Sequence, residues 1–264
     1  MVGDHVNVPS FALGGDPLDG PGPAGGAALS IEAQARLVGG YQWVERRLFE
    51  VLGAWAASES LAEAQVLFDV YGLQHAWHAE LFAERLPALD SIDPDTLTVP
   101  PSAAVDRVLG VLAGTAPLPV DSPEGGVPAA SLHAGGTLIR LIGLGRVVLP
   151  RLVAGYGLHL RRLSPVAEAP VGRCLRLVLR DEVEQWQAVE AFTQSLLRRP
   201  NDITVVTEHQ RRLEQLVAES GAGLVPWPRI GPQTGSPPDD AVPASPGAIP
   251  PGQGGPEVLT PPVD

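Results

Sequence analysis

Four long segments of the chain carry apolar residues at alternating spacings of three and four, which is the pattern of a helix with one buried face. Two further helices, the first of them short, are predicted between and after these segments. The six predicted helices cover residues 30–58, 60–86, 102–113, 130–163, 169–199 and 201–220. The sequence therefore predicts an all-α protein in which four long helices share one core.

Residues that start, stop or bend helices support these boundaries. Ser30 is placed to cap the first helix, and Pro87 ends the second. Pro150 lacks the backbone N–H that a helix needs at that position, so we expect a kink in the third long helix there. Asn201 or Asp202 is expected to cap the last helix.

The two ends of the chain show no helical or strand period. The chain contains 30 glycines and 28 prolines, and they recur every few residues in 1–28 and again in 222–264. Segments that cannot bury apolar surface do not fold alone. We therefore expect a disordered leader over residues 1–28, a helical domain over 29–221 and a disordered tail over 222–264.

Polar residues interrupt the apolar stripe of each long helix at about mid-height. A buried polar group that lacks a partner costs on the order of 1–3 kcal/mol, so these groups are expected to meet one another. The interrupting residues are Glu45 in the first helix, His75 and His78 in the second, Tyr156 in the third, and Glu182 and Gln185 in the fourth. The sequence predicts that they converge in the interior.

This arrangement resembles the ferritin-like superfamily of four-helix bundles. Its di-metal sites take a Glu from each of two helices and a Glu-x-x-His pair from each of the other two. The stretch Asp181-Glu182-Val183-Glu184-Gln185 is similar to the Asp-Glu-x-x-His end of that pattern. The resemblance implies a ferritin-like four-helix bundle with a long crossover between the second and third long helices, plus one additional C-terminal helix.

The ligand set implied by the resemblance is only partly present. Residues matching the family's ligands are Glu45, His78 and Glu182. Residues that replace the usual Glu, Glu and His are His75, Tyr156 and Gln185. The departures are expected to leave a degenerate metal centre in place of an ordinary di-iron site.

The functional hypothesis is therefore a buried centre for one iron, manganese or zinc ion. Two imidazoles and two carboxylates suffice to hold such an ion. The predicted ligands are Glu45, His75, His78 and Glu182, with Tyr156 and Gln185 at the edge of the site. An enzyme built on this centre would be an oxygen-dependent oxidase or hydroxylase; no catalytic residue is identified.

An alternative hypothesis gives the same residues a structural role. Histidine, carboxylate, tyrosine and glutamine side chains can satisfy one another without metal and fix the register of the helices. The protein would then be a non-catalytic helical interaction protein, or a cargo or scaffold protein with a decayed, metal-free polar core. Both hypotheses remain open at the level of sequence.

Composition narrows the set of partners. The net charge is −12 and every one of the 18 basic residues is an arginine, so nucleic acid and anionic membranes are not expected as partners. Trp43, Trp77 and Trp186 are expected in core packing or at a homodimer face. The apolar island 256–260 at the end of the tail leaves open docking to a protein partner.

The remaining chemistry-bearing residues receive structural interpretations. Cys174, the single cysteine, is expected to be a small buried residue and fits a reducing compartment. His159 is expected near the bundle end and not as a ligand, and His209 is expected to be exposed or on a helix face. Because neither a signal peptide nor a sufficiently uncharged apolar stretch is visible, a cytoplasmic protein is expected.

Overall fold

The computed structural model of the protein describes residues 29–88, 92–117, 136–219 and 223–225. All of them belong to one compact unit, Met1–Pro228, and a second unit, Arg229–Asp264, lies outside the described residues. The predicted leader also lies outside them, and only residues 223–225 of the predicted tail are included.

The described part of the chain is helical and contains no β-strand, which confirms the predicted all-α class. No helix in this part has the length and hydropathy of a bilayer-spanning segment. The helices are α1 (Ile31–Ser58), α2 (Ala62–Ala83), α3 (Ala103–Leu112), α4 (residues 137–162), α5 (Ala169–Leu196) and α6 (Pro200–Glu219), with a 3₁₀ turn at Pro94–Thr96.

Helices α1 and α2 pack tightly against each other and run in opposite directions. Near one end the rings of Tyr41 and Phe82 lie 5.3 Å apart, and near the other those of Trp55 and Phe68 also lie 5.3 Å apart. Residues later in α1 therefore contact residues earlier in α2. This antiparallel pairing follows from the short connection between the two helices.

Helix α4 also runs antiparallel to α1. Tyr41, in the first half of α1, forms a hydrogen bond with His159 near the end of α4. Glu59, just after α1, accepts a hydrogen bond from Arg140 near the start of α4. Since α2 and α4 both oppose α1, they run in the same direction. The connection between them therefore passes from one end of the core to the other.

Helix α5 completes the core between α2 and α4. Gln185 donates a hydrogen bond to Gln74 of α2, and Arg146 of α4 forms a bidentate salt bridge with Glu190. The inner positions predicted from the sequence are largely buried, and Cys174 is buried as expected. Tyr71 of α2 is half-buried and packs against this core.

The irregularity expected at Pro150 takes the form of a π-helical stretch before it. Helix α4 consists of α-helical Thr137–Ile142, π-helical Gly143–Val148 and α-helical Leu149–Arg162. In the π stretch the N–H of Leu149 donates to the carbonyl of Leu144, five residues earlier. The wider turn accommodates a proline that would crowd the carbonyl four residues before it in a regular helix.

Two predicted helix starts were wrong. Helix α2 begins two residues later than expected, because the Glu59 carboxylate accepts the backbone N–H groups of Ser60 and Leu61. Helix α6 begins at Pro200, so neither Asn201 nor Asp202 is its cap. A proline suits the first turn of a helix, where its missing N–H would have no partner in any case. Ser30 caps α1 as predicted, by accepting from the N–H of Ala33 at 3.2 Å.

Residues from the start of the predicted tail contribute to the core. Leu224 and Val225 are 1% and 5% exposed. Val225 packs against Gly155 of α4, where an added Cβ would lie 1.9 Å from a Val225 methyl group. Only glycine permits this close approach.

A second close approach gives a stability prediction in α1. A Cβ at Gly39 would lie 2.2 Å from the carbonyl oxygen of Leu97, whereas one at Gly53 would meet nothing within 4 Å. We expect Gly39→Ala to lower the free energy of unfolding by about 1–3 kcal/mol, because a backbone atom cannot move aside cheaply. Gly53→Ala, the matched control in the same helix, should raise it by up to about 1 kcal/mol. Urea denaturation of both variants measures the difference, and equal effects would contradict the assigned contact.

Candidate metal centre

Four predicted ligands from three helices come together in the core. Glu45 from α1, His75 and His78 from α2, and Glu182 from α5 each have no exposed surface. One ligand atom from each residue can be chosen so that all four lie within 4.8 Å of one another. These residues, called the Glu–His group below, could hold a metal ion.

Each side chain reaches this point because its helix turns the same face inward. His75 and His78, three residues apart on α2, point to the same side, and their rings lie 5.8 Å apart and nearly perpendicular. Glu45 and Glu182 approach from α1 and α5 on either side. The group therefore depends on the packing of three helices.

The distances within the group are close to those between the ligands of one metal ion. Nδ1 of His78 lies 3.4 Å from Oε2 of Glu45 and 3.3 Å from Oε1 of Glu182. Nδ1 of His75 lies 3.4 Å from the same Glu182 oxygen, but only 2.6 Å from Oε2 of Glu45, to which it is hydrogen-bonded. Ligand atoms around a tetrahedral ion with bonds of about 2.1 Å are about 3.4 Å apart. Three of these four separations match that value. The fourth is the hydrogen bond between His75 and Glu45, which would have to open for an ion to bind between them.

Asp181 holds His78 in a fixed orientation. Its Oδ2 lies 3.2 Å from Nε2 of His78, on the side of the ring away from the group, and the carboxylate is 24% exposed. A hydrogen bond from Nε2–H leaves Nδ1 of a neutral imidazole free to bind a metal ion, an arrangement common behind metal-bound histidines. Asp181 belongs to the family-like motif, but it lies one residue off the inner stripe of α5, so the sequence pattern does not predict this role for it.

Tyr156 lies beside the group and contacts Glu45. Its hydroxyl donates a short hydrogen bond to Oε1 of Glu45. Burial, together with the nearby charges of Glu45 and Glu182, raises the pKa of Tyr156 well above its ordinary value, so the phenol stays protonated. Tyr156 therefore acts as a fixed donor to Glu45.

The two carboxylates have opposite electrostatic environments. Burial alone would raise the pKa of Glu45, but the charges of His75 and His78 and the hydrogen bond from His75 lower it to about 2. Burial raises the pKa of Glu182, and the Glu45 charge raises it further. Burial acts to lower the pKa of His78, yet its carboxylate neighbours Asp181, Glu182 and Glu45 raise it to about 12. Without metal, His78 is therefore the cation that balances Glu45.

Glu182 is the member of the Glu–His group whose side chain lacks hydrogen-bond partners in the described part of the chain. Within the described ranges, neither of its carboxylate oxygens accepts a hydrogen bond, and Nδ1 of His78 and Nε2 of His75 also have no hydrogen-bond partner. A fully buried carboxylate without donors is costly, and a bound cation would remove that cost. The donor set of two imidazoles and two carboxylates thus fits a divalent ion.

Gln185 is close to the group but is engaged elsewhere. Its side-chain amide donates to Oε1 of Gln74 at 2.9 Å, and it lies one turn after Glu182 on α5. No hydrogen bond or ion pair joins it to the four members of the group among the described contacts.

The two other described histidines lie outside the group. His159 is fully buried, with Nδ1 3.1 Å from the Tyr41 hydroxyl and Nε2 3.8 Å from Glu168. His209 lies on α6 and is only 5% exposed, so of the two positions expected for it, exposed or on a helix face, the exposed one was wrong. Burial, with a smaller effect from the Arg212 charge, lowers the pKa of His209 to about 4 and keeps it neutral.

A separate cavity of about 580 Å³ lies near the end of α1. Its wall includes Trp55, Arg140 and His209, and none of the residues lining it belongs to the Glu–His group. The cavity therefore gives no direct access to the candidate centre.

Comparison with known proteins adds no family to this description. The chain matches no family model, and neither a curated protein nor a solved structure is significantly similar to it. Functional conclusions therefore rest on the geometry of the site.

Proposed function

We propose that this protein is a ferritin-like metalloprotein with a reduced, single-ion centre. Four long helices around one core support this, as does the common direction of α2 and α4, which requires a long crossover. The position of the Glu–His group halfway along those helices supports it as well. The assignment explains why charged residues lie in the core of the protein.

The centre is proposed to bind one iron, manganese or zinc ion through Glu45, His75, His78 and Glu182. The observation that carries this proposal is the buried Glu182 carboxylate, which lies 3.3 Å from Nδ1 of His78 and has no hydrogen-bond donor among the described residues. Two carboxylates and two neutral imidazoles together carry the charge that a divalent ion neutralises.

The chain's own residues would prepare this centre in three ways. Asp181 orients His78, and Tyr156 holds one oxygen of Glu45, so that the other oxygen faces the histidines. Complete burial of the four ligands excludes bulk water, which strengthens electrostatic interactions. A bound iron or manganese ion would supply one-electron chemistry with dioxygen, and zinc would supply Lewis acidity. The proposed activity is that of an oxidase or hydroxylase.

One observation favours the metal-free alternative. Glu45 already accepts hydrogen bonds from His75 at 2.6 Å and from Tyr156, so half of the group is satisfied without an ion. In that case the hydrogen bonds of Glu45 with His75 and Tyr156 would fix the register of α1, α2 and α4 in a non-catalytic interaction protein. The two functions differ in whether Glu182 has a bound cation as its partner.

Metal content distinguishes the two functions directly. We expect protein purified without chelator to contain about one equivalent of iron, manganese or zinc, measured by plasma mass spectrometry. His78→Ala should lose that metal, because it removes the ligand that Asp181 orients. The control Glu80→Gln changes an exposed residue two positions away and should retain the metal.

Two results would speak against the proposed function. Metal-free wild-type protein that fails to take up any of the three ions on dialysis would favour the structural role. Equal metal content in His78→Ala and wild type would show that the metal binds outside the Glu–His group. The enzymatic role is tested separately, by comparing dioxygen consumption of the iron-loaded and manganese-loaded protein with that of Glu182→Gln.

A further inference from the structure

The outer face of α2 carries a row of apolar side chains that the fold leaves exposed. Val66, Val70, Leu73 and Trp77 follow at spacings of four, three and four, which places them on one ridge along the helix. Their exposed fractions are 62%, 46%, 60% and 46%. These four residues, called the outer ridge below, lie on the face opposite the histidines of the centre.

Helix α2 is thus apolar on two opposite faces, and the described part of the chain covers only one of them. A helix that is apolar all round is normally buried on all sides. Contiguous exposed apolar residues on a folded protein commonly mark an interaction site, whereas singly scattered ones do not. The spacing along the outer ridge is that of a seam which packs against another helix.

Charges beside the outer ridge indicate what kind of helix would fit. Glu63, Asp69 and Glu80 are exposed on α2, and α2 contains neither lysine nor arginine. Across the described ranges, none of these three carboxylates forms a salt bridge. By contrast, the exposed Glu50 and Glu184 on the neighbouring helices are each paired with an arginine. The ridge is therefore bordered by uncompensated negative charge.

Two occupants from the chain itself fit this charge pattern poorly. A second copy packed antiparallel about the middle of the ridge would bring Glu63 against Glu80 of the other copy, and like charges repel. The segment 229–264 contains a single cation, Arg229, and its acids are Asp239, Asp240, Glu257 and Asp264. Neither occupant supplies the positive charge that the border of the ridge lacks.

We propose that the outer ridge of α2 docks a basic amphipathic helix of another protein. Apolar side chains of that helix, spaced by three and four, would cover the ridge between Val66 and Trp77. Lysine or arginine residues beside its apolar stripe would pair with Asp69 and Glu80. This surface is independent of the proposed metal centre, because its residues lie on the other face of α2.

Designed peptides test this proposal with the full chain. The probe is a labelled three-heptad helical peptide with leucine at the seam positions and lysine beside them. One matched peptide carries glutamate in place of lysine, and a second has the lysine peptide's composition in scrambled order. Fluorescence anisotropy should show that wild-type protein binds the lysine peptide at least tenfold more tightly than either matched peptide.

Variants identify the surface that binds the probe. Leu73→Asp should weaken binding of the lysine peptide at least tenfold, whereas Ile203→Asp, a change at an exposed apolar residue of α6, should not alter it. Asp69→Lys/Glu80→Lys should reverse the preference toward the glutamate peptide. All of these residues are exposed, so circular dichroism should confirm unchanged folding.

Three results would overturn the proposal. The first is equal binding of the scrambled and lysine peptides. The second is wild-type protein that sediments as a dimer which Leu73→Asp converts to a monomer, because a second copy would then cover the ridge. The third is stronger acrylamide quenching of Trp77 fluorescence in the double variant Val258→Asp/Leu259→Asp than in the wild type. The variant Trp77→Phe is the control that identifies the Trp77 signal. Stronger quenching in the double variant would assign the ridge to the chain's own C-terminal segment.

Discussion

Zinc added to the metal-free protein is expected to raise its melting temperature by roughly 10 °C when the free zinc concentration is about a thousandfold above its dissociation constant. A ligand that binds only the folded state at that excess stabilises it by about 4 kcal/mol, and a domain of this size shifts by roughly 2–4 °C per kcal/mol. The reason is structural: zinc would neutralise the buried Glu182 carboxylate and take the place of the proton on Nδ1 of His78.

Glu182→Gln should abolish this response to zinc. The substitution keeps the shape of the side chain but removes the charge that the ion needs. Glu184→Gln is the matched control, since Glu184 lies two residues away on α5, is exposed and pairs with Arg180. Differential scanning calorimetry in zinc and in chelator measures both variants. If Glu182→Gln keeps the full shift, zinc binds outside the Glu–His group.

Glu45→Gln is expected to destabilise the metal-free protein by about 3–5 kcal/mol, the range found when one partner of a buried ion pair is removed. Glu45 accepts from His75 and Tyr156 and balances the charge of His78, and a neutral amide with one acceptor oxygen cannot replace all three interactions. Urea denaturation in chelator at neutral pH measures the change in the free energy of unfolding.

Glu182→Gln is the informative comparison for this experiment. Without metal, the raised pKa of Glu182 shows that its charged form is unfavourable in the folded protein, so removing the charge should change stability by no more than about 1 kcal/mol. The two carboxylates are therefore expected to differ although both are fully buried. Equal destabilisation by the two variants would contradict the assigned pairing.

The effect of Glu45→Gln should also depend on pH in a defined direction. The pKa of Glu45 is lowered in the folded state to about 2, from 4.5 in the unfolded chain. Its stabilising contribution is therefore fully present above pH 4.5 and is lost as the pH falls toward 2. The difference between wild type and Glu45→Gln should shrink over that interval.

The sequence by itself determined the long helices of the core and the inward positions of their polar residues. The hydrophobic period and the helix-breaking residues depend only on neighbours within a few positions in the sequence. The helices predicted over 30–58 and 169–199 are therefore close to the observed α1 and α5. The same local rule placed Glu45, His75, His78 and Glu182 on inner stripes. Their convergence could then be anticipated, because buried polar groups require partners.

Tertiary structure decided which of those groups became partners. His78 meets Asp181 across 103 positions of sequence, and Gln185 turns to Gln74 and away from the centre. Such pairings depend on the rotation and axial register of packed helices, which no local pattern specifies. The unsatisfied Glu182, the buried His209 and the exposed outer ridge appeared for the same reason: burial is fixed only when the neighbouring helices are in place.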